Sequence, residues 1–293
     1  MPFSEGRLIS TDELATLLAH DSVTVIDARS DLAAYFANHI PGAPYLRFES
    51  LRAPRRHPGG HARPRGLCRP AGPAGNTRER PVVIYGTGDA GNFNATFLAW
   101  ILAGFRHRIY LLDGGYAKWA RRTPAHRAYP DTKATAYAVT LRARGGRAGL
   151  GALHGESAQR GDRRRAACRP VCRHGEAQGL RRGHIPGAVN HFWQDDLRDA
   201  GNGLKVWKSK DELQAGYTRQ GITPDKDVFL YCNTGTEASH AYFALRFLPG
   251  YEVHVYVPSW TEWAGREDLP IEQGQARRRA SSEGRTYAGT ATA

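Results

Sequence analysis

The sequence predicts an α/β protein of two tandem domains, each a mainly parallel sheet flanked by helices. Three observations carry this expectation. Short β-branched and aromatic runs, such as Val82-Val83-Ile84-Tyr85 and Val228-Phe229-Leu230-Tyr231, read as strands buried on both faces. Apolar patterns at helical spacing alternate with those runs, the order that builds parallel sheets. Landmarks of the first half then return in the second at a nearly constant offset. His184-Ile185-Pro186-Gly187-Ala188 repeats His39-Ile40-Pro41-Gly42-Ala43 at 145, Val228 repeats Val82 at 146, and Trp263 repeats Trp119 at 144. An offset this long means two domains and excludes a solenoid of short repeats. The expected division is 1–125 for the first domain, 126–152 for a linker, 153–273 for the second domain and 274–293 for a flexible tail.

Along the chain, Ser10 and Glu13 have capping-box spacing and open a helix whose apolar face is Leu14, Leu17 and Leu18. Val23-Thr24-Val25-Ile26 is a strand that ends in Asp27-Ala28-Arg29. A helical stretch follows through Leu32, Tyr35 and Phe36, and then the Pro-Gly turn at 39–43. After the strand at 82–85 come a polar loop, Gly86 to Asn92, and a helix from about Asn94 through Leu98 and Leu102. Ile109-Tyr110-Leu111-Leu112 is a further strand, closed by a segment that ends in Trp119. In the second copy a helix is expected over 208–220 and the strand at 228–231 follows. Cys232 stands directly after that strand. The loop Asn233-Thr234-Gly235-Thr236-Glu237 leads into a helix with Ala241, Leu245 and Leu248 on one stripe.

Composition limits the function classes. No run of about 18 apolar residues exists, so no helical membrane span is expected. Residues 1–10 show no signal-peptide pattern, and four cysteines in 293 residues are no disulfide framework. A cytoplasmic location with reduced thiols follows. The net charge of +13 invites a nucleic-acid reading. Its distribution argues against one. Residues 52–80 hold eight Arg and one acid, and residues 141–182 hold eleven Arg and three acids; these +7 and +8 leave −2 for the rest.

Those two basic stretches break the repeat. Residues 62–74 replace the helical pattern of 208–220 with Pro, Gly and Arg, and 168–175 replace the strand and turn of 23–30 with CRPVCRHG, which does not read as a strand. They fit solvated loops, Arg-rich nucleic-acid arms, or stretches translated out of frame between compensating frame changes. The sharp compositional edges favour the last. Reading the coding DNA in the other frames decides it: failure to restore an apolar strand ending in an acid-x-Arg turn near 165–172 rules it out. Cys168, Cys172 and His174 lack a fourth ligand for a zinc site.

The cysteine is the candidate nucleophile. Its position at the carboxyl end of a parallel strand is where open α/β sheets bind ligands. Loop N–H groups and a helix N-terminus carry partial positive charge, which is expected to lower the thiol pKa. The polar loop argues against deep burial. Cys232 aligns with Gly86, so one copy alone carries a nucleophile. Phosphate ester chemistry wants an Arg at the sixth residue after the cysteine, and that residue is Ala238.

Asp27-Ala28-Arg29, the two His-Ile-Pro-Gly-Ala turns, the segments ending in Trp119 and Trp263, and the loop Cys232 to Ser239 together resemble the rhodanese sulfurtransferases in their tandem-domain form. The resemblance spans the chain apart from 52–74, 141–180 and the last twenty residues. It implies two rhodanese-like domains with the second catalytic. It also implies a ping-pong transfer of sulfane sulfur from thiosulfate or 3-mercaptopyruvate, through a persulfide on Cys232, to cyanide or a thiol. The backbone N–H groups of Asn233, Thr234, Gly235, Thr236, Glu237, Ala238 and Ser239 would cradle the sulfur. No metal or organic cofactor, nucleic acid or membrane partner is implied. The family's donor-binding Arg comes from a turn that falls within 141–182; Arg181 and Arg182 are the nearby candidates. The runner-up is a sulfur-carrier or regulatory module with impaired turnover. Asp27, Arg29, His39 and His184 read as structural, and Trp260 and Trp263 as packing, with Trp260 also placed to shape the donor pocket.

Overall fold

The computed structural model describes residues 7–47, 80–89, 92–103, 108–122, 165–170 (backbone alone) and 180–273. The expected linker, 126–152, the tail, 274–293, and most of both basic stretches lie outside the described residues.

The first domain runs β1 (Arg7–Ile9), α1 (Thr11–Ala19), β2 (Thr24–Asp27), α2 (Leu32–Ala37), β3 (Val82–Tyr85), α3 (Phe93–Ala103), β4 (Ile109–Leu112) and α4 (Gly115–Ala120). Its four strands pair in parallel in the order β1-β4-β3-β2. The chain forms α1 because Ser10 accepts from the Glu13 N–H while the Glu13 carboxylate accepts from the Ser10 N–H. Strands β2, β3 and β4 are buried along their whole length, as continuous apolar runs between two helical layers must be.

The second domain runs β5 (Arg165–Pro170), β6 (Val189–His191), a 3₁₀ turn (Trp193–Asp196), β7 (Leu197–Asp199), β8 (Lys205–Trp207), α5 (Lys210–Arg219), β9 (Asp227–Leu230), α6 (Thr236–Arg246), β10 (Glu252–Val255) and α7 (Ser259–Gly265). The main sheet is parallel, ordered β10-β9-β5-β6, and β7-β8 form an antiparallel pair.

Strand β5 corrects the expectation that no strand forms there. Ile26 lies opposite Ile84 in the first sheet, and Cys168 lies opposite Leu230 in the second. Cys168 therefore takes the place of Ile26 at an offset of 142, where the turn that follows keeps 145. Arg169 takes the register position of Asp27. The physical reason is tertiary: β5 sits between β9 and β6, and the ladder on both sides fixes its backbone whatever its side chains prefer. Pro170, which has no N–H to give, comes last in the strand.

One apolar cluster crosses between the domains. It joins Leu98 and Trp100 of α3 to Phe243 and Leu245 of α6 and to Trp193. Phe93 meets Trp193 edge to face at 5.6 Å, and the Trp207 N–H donates to the Asp113 carboxylate at 3.0 Å. Among the described residues no helix is long and apolar enough to cross a membrane.

Candidate active site

Strand β9 delivers Tyr231 and then Cys232 to the carboxyl edge of the second sheet. Two hydrogen bonds fix the backbone there: the Trp260 N–H donates to the Cys232 carbonyl at 3.0 Å, and the Thr261 N–H donates to the Asn233 carbonyl at 3.2 Å. The first domain makes the same pair, Tyr116 N–H to Gly86 and Ala117 N–H to Thr87, both at 2.8 Å. The two loops are thus one design used twice, with different contents.

In the second copy Gly235 takes φ +86°, and a Cβ there would meet the Val257 carbonyl oxygen at 2.8 Å, so only glycine closes this turn. The turn brings the Gly235 N–H to 3.0 Å from Cys232 Sγ. The Thr234 and Ala238 N–H groups also act on the sulfur. The Ser239 N–H, part of the predicted cradle, is used within α6 on the Gly235 carbonyl. Asn233 and Thr234 are half-buried; Thr236 and Ala238 are buried.

The first copy closes the equivalent space. A Cβ on Gly86 would meet Asn92 Oδ1 at 2.6 Å, and that oxygen accepts the Gly88 N–H at 3.1 Å. An amide oxygen there fills the role that the thiol fills in the second copy.

Two expectations about the thiol are corrected. Cys232 is 2% exposed, although a polar loop follows it. The thiol pKa is raised, pushed up to about 12. Burial is the main cause, and the negative charge of the Glu237 carboxylate adds to it; the Ala238 and Thr234 N–H groups pull the other way and are outweighed. The helix end does act as predicted, but it competes with an acid on its own first turn.

The sequence reading missed Ser259. Its hydroxyl accepts the Cys232 N–H at 3.2 Å and donates to the Tyr256 carbonyl at 2.8 Å. Its φ is +53°, left-handed backbone that a side chain rarely adopts. Gly115 holds the same place in the first copy at φ +52°. Gly115 and Ser259 lie 144 apart, the offset of the two tryptophans, and that was the signal available in the sequence.

Asp27, Arg29, His39 and His184 are held in structural contacts. Asp27 and Arg29 form a buried ion pair at 2.7 Å, Tyr85 donates to Asp27 at 2.6 Å, and Arg29 donates to the Asn38 carbonyl at 2.7 Å. His39 is buried and stacks on Tyr35 at 4.3 Å; His184 is buried 3.6 Å from the Glu272 carboxylate. Arg181 donates to carbonyls at the end of α7 and beyond, among them Ala264 at 3.0 Å and Leu269 at 3.2 Å. Arg182 is exposed. Trp260 and Trp263 belong to the apolar cluster under this edge of the sheet.

Comparison with known proteins agrees with this geometry. The profile of the rhodanese-like domain matches residues 10–122 and 172–266. A thiosulfate sulfurtransferase of Corynebacterium glutamicum is 30% identical over 286 residues, covering 92% of this chain and 91% of its own. A 3-mercaptopyruvate sulfurtransferase of Escherichia coli K12 is 29% identical over 291 residues, covering 90% and 97%. The crystal structure of the 3-mercaptopyruvate sulfotransferase SseA from Escherichia coli superposes with a TM-score of 0.72 at 24% identity, covering 86% of this chain and 98% of that one. The chain belongs to the rhodanese family, in its tandem-domain, sulfurtransferase-like form.

Proposed function

We propose that the protein moves a sulfane sulfur from thiosulfate or 3-mercaptopyruvate to cyanide or a small thiol through a persulfide on Cys232. The observation that carries this reading is a free thiol at a strand end, held beneath converging N–H groups, in one of two otherwise matching loops. The thiolate is the competent nucleophile: it attacks the outer sulfur of thiosulfate, whose S–S bond breaks to release sulfite, or the thiol sulfur of 3-mercaptopyruvate, whose C–S bond breaks to release the enolate of pyruvate. The N–H groups of Thr234, Gly235 and Ala238 then face a persulfide anion, for which preorganised donors are the natural partner. A thiophilic acceptor removes the outer sulfur and restores the thiolate. The names of the relatives, thiosulfate and 3-mercaptopyruvate sulfurtransferase, support both donor classes as candidates.

The test is a thiocyanate assay with each donor and cyanide. Wild-type turnover that disappears in Cys232→Ser, together with a mass gain of one sulfur atom on the wild-type chain alone, is expected. Equal turnover in both proteins would overturn the mechanism. A sulfur adduct without turnover would make the chain a carrier.

A further inference from the structure

The first-domain loop has Gly86 where the second has Cys232, and the sheet edge beside it holds a piece of the second domain. That piece is the β7–β8 hairpin. Strand β7 pairs with one side of β8 and leaves the Lys205 and Trp207 N–H groups directed away from it. Such main-chain donors need acceptors, and the first domain supplies both. The Lys205 N–H donates to the Gly88 carbonyl at 3.0 Å, and the Trp207 N–H donates to Asp113 Oδ1 at 3.0 Å. The other carboxylate oxygen of Asp113 accepts from Lys118 Nζ at 2.9 Å, which holds it in place. Arg121 donates to the Gly201 and Asn202 carbonyls at the hairpin's turn, at 3.1 and 3.3 Å.

The ring of Trp207 packs on helix α6. It stacks on His240 at 4.2 Å, 7° from parallel, and meets Phe247 edge to face at 5.2 Å. His240 follows Ser239, whose N–H donates to the Gly235 carbonyl at 3.2 Å and whose hydroxyl donates to the Thr236 carbonyl at 2.6 Å. The Gly235 N–H in turn lies 3.0 Å from Cys232 Sγ. A short run of contacts thus leads from a first-domain carboxylate to the loop around the thiol. The residue 144 beyond Asp113 is Val257, partly buried against the apolar cluster, so the edge that carries Cys232 has no carboxylate with which to grip a strand.

We propose that Asp113, in the domain without the cysteine, is a positioning residue for sulfur transfer. By fastening β8 it sets Trp207 against His240, and so holds the first turns of α6 and the loop N–H groups that face Cys232. The inference rests on the persulfide reading above. Donors stabilise a developing anion only where they already stand in place, and a misplacement of about 1 Å can cost 10²-fold in rate. Asp113 acts through Trp207 and not on a reacting atom.

The test measures single-turnover persulfide formation by mass, with thiosulfate and with 3-mercaptopyruvate, well below the melting temperature of each protein. Asp113→Ala removes the acceptor, whereas Asp113→Asn loses the charge and keeps an oxygen for the Trp207 N–H. Trp207→Phe keeps that hydrogen bond and shrinks the ring that meets His240. Asp113→Ala and Trp207→Phe are each expected to slow persulfide formation about 10–10²-fold at saturating donor, with the half-saturating concentration little moved. Asp113→Asn should recover most of the rate. Amide exchange over 233–240 should quicken in Asp113→Ala and stay near wild type in Asp113→Asn. An Asp113→Ala rate within about twofold of wild type, or an Asp113→Asn rate as slow as that of Asp113→Ala, would overturn the role of Asp113 and leave the persulfide reading standing. Faster exchange confined to the hairpin, 197–207, would do the same. If Asp113→Ala does not fold, an undiminished rate in Trp207→Phe sinks the inference on its own. Wild-type protein that forms no persulfide with either donor would overturn both readings.

Discussion

At the scale of the residue, the thiol of Cys232 is governed by two opposed influences. Three backbone N–H groups favour the thiolate, while burial and the Glu237 charge favour the thiol and prevail. Alkylation by iodoacetamide is therefore expected to be far slower than for free cysteine at neutral pH, and to rise as pH approaches 12. Replacing Glu237 by Gln removes one of the charges that oppose ionisation, so the alkylation profile should move to lower pH. A wild-type thiol that titrates below pH 8 would contradict the balance drawn here.

At the scale of the element, the corner between β10 and α7 holds the strand end that carries Cys232. Ser259 supplies the acceptor for the Cys232 N–H, at the cost of a side chain in left-handed backbone. Ser259→Ala keeps the strained φ and leaves a buried N–H without its partner, so a loss of about 1–3 kcal/mol is expected in urea unfolding. Ser259→Gly loses the same acceptor but relieves the backbone, an effect worth roughly 1–2 kcal/mol, and should fall closer to wild type. Persulfide formation should suffer in both, because both loosen the position of Cys232. Equal destabilisation by the two changes would remove the strain argument.

At the scale of the whole molecule, the two domains share a core, and α3 and α6 face each other through equivalent residues. Thr96 Oγ1 and Ser239 Oγ lie 3.1 Å apart, and they occupy matching positions in the two helices. Beside this contact lies a buried polar network. His191 Nε2 is 3.0 Å from Asp196 Oδ1, its Nδ1 is 3.1 Å from Gln220 Oε1, and Tyr217 donates to Asp196 Oδ2 at 2.9 Å. Both His191 nitrogens face oxygen acceptors, which suits the imidazolium. His240, stacked on Trp207 at 4.2 Å, is 3.6 Å from Asp196, too far for a hydrogen bond.

Burial opposes both charges of the Asp196–His191 pair, and their mutual attraction wins. It lowers Asp196 from 3.8 to about 2 and raises His191 above 6.5. For the lowered acid, the stabilisation is full above 3.8 and is lost as pH falls through about 2. For the raised base, it is full below 6.5 and is lost as pH climbs through the folded value. The pair therefore contributes most between 3.8 and 6.5. Asp196→Asn leaves His191 buried without its counter-charge, and a loss of about 3–5 kcal/mol is expected near pH 6. The difference from wild type should narrow in acid; a gap that stays constant down to pH 2 would contradict the assignment.

The sequence alone was enough for the tandem α/β architecture, because hydrophobic period and a repeat at constant offset are local facts. It placed Cys232 at a strand end for the same reason: strand, cysteine and glycine turn are neighbours in the chain. It misjudged β5, whose basic and proline-bearing residues read as loop, because a strand between two others is held by ladders that composition does not encode. It also misjudged the thiol. Helix-end polarity can be read from neighbours, whereas desolvation depends on everything folded over the sulfur. Only the tertiary structure brought Ser259 to the Cys232 N–H across 27 residues of chain. Sequence patterns decided which groups the chain owns, and burial decided what those groups are worth.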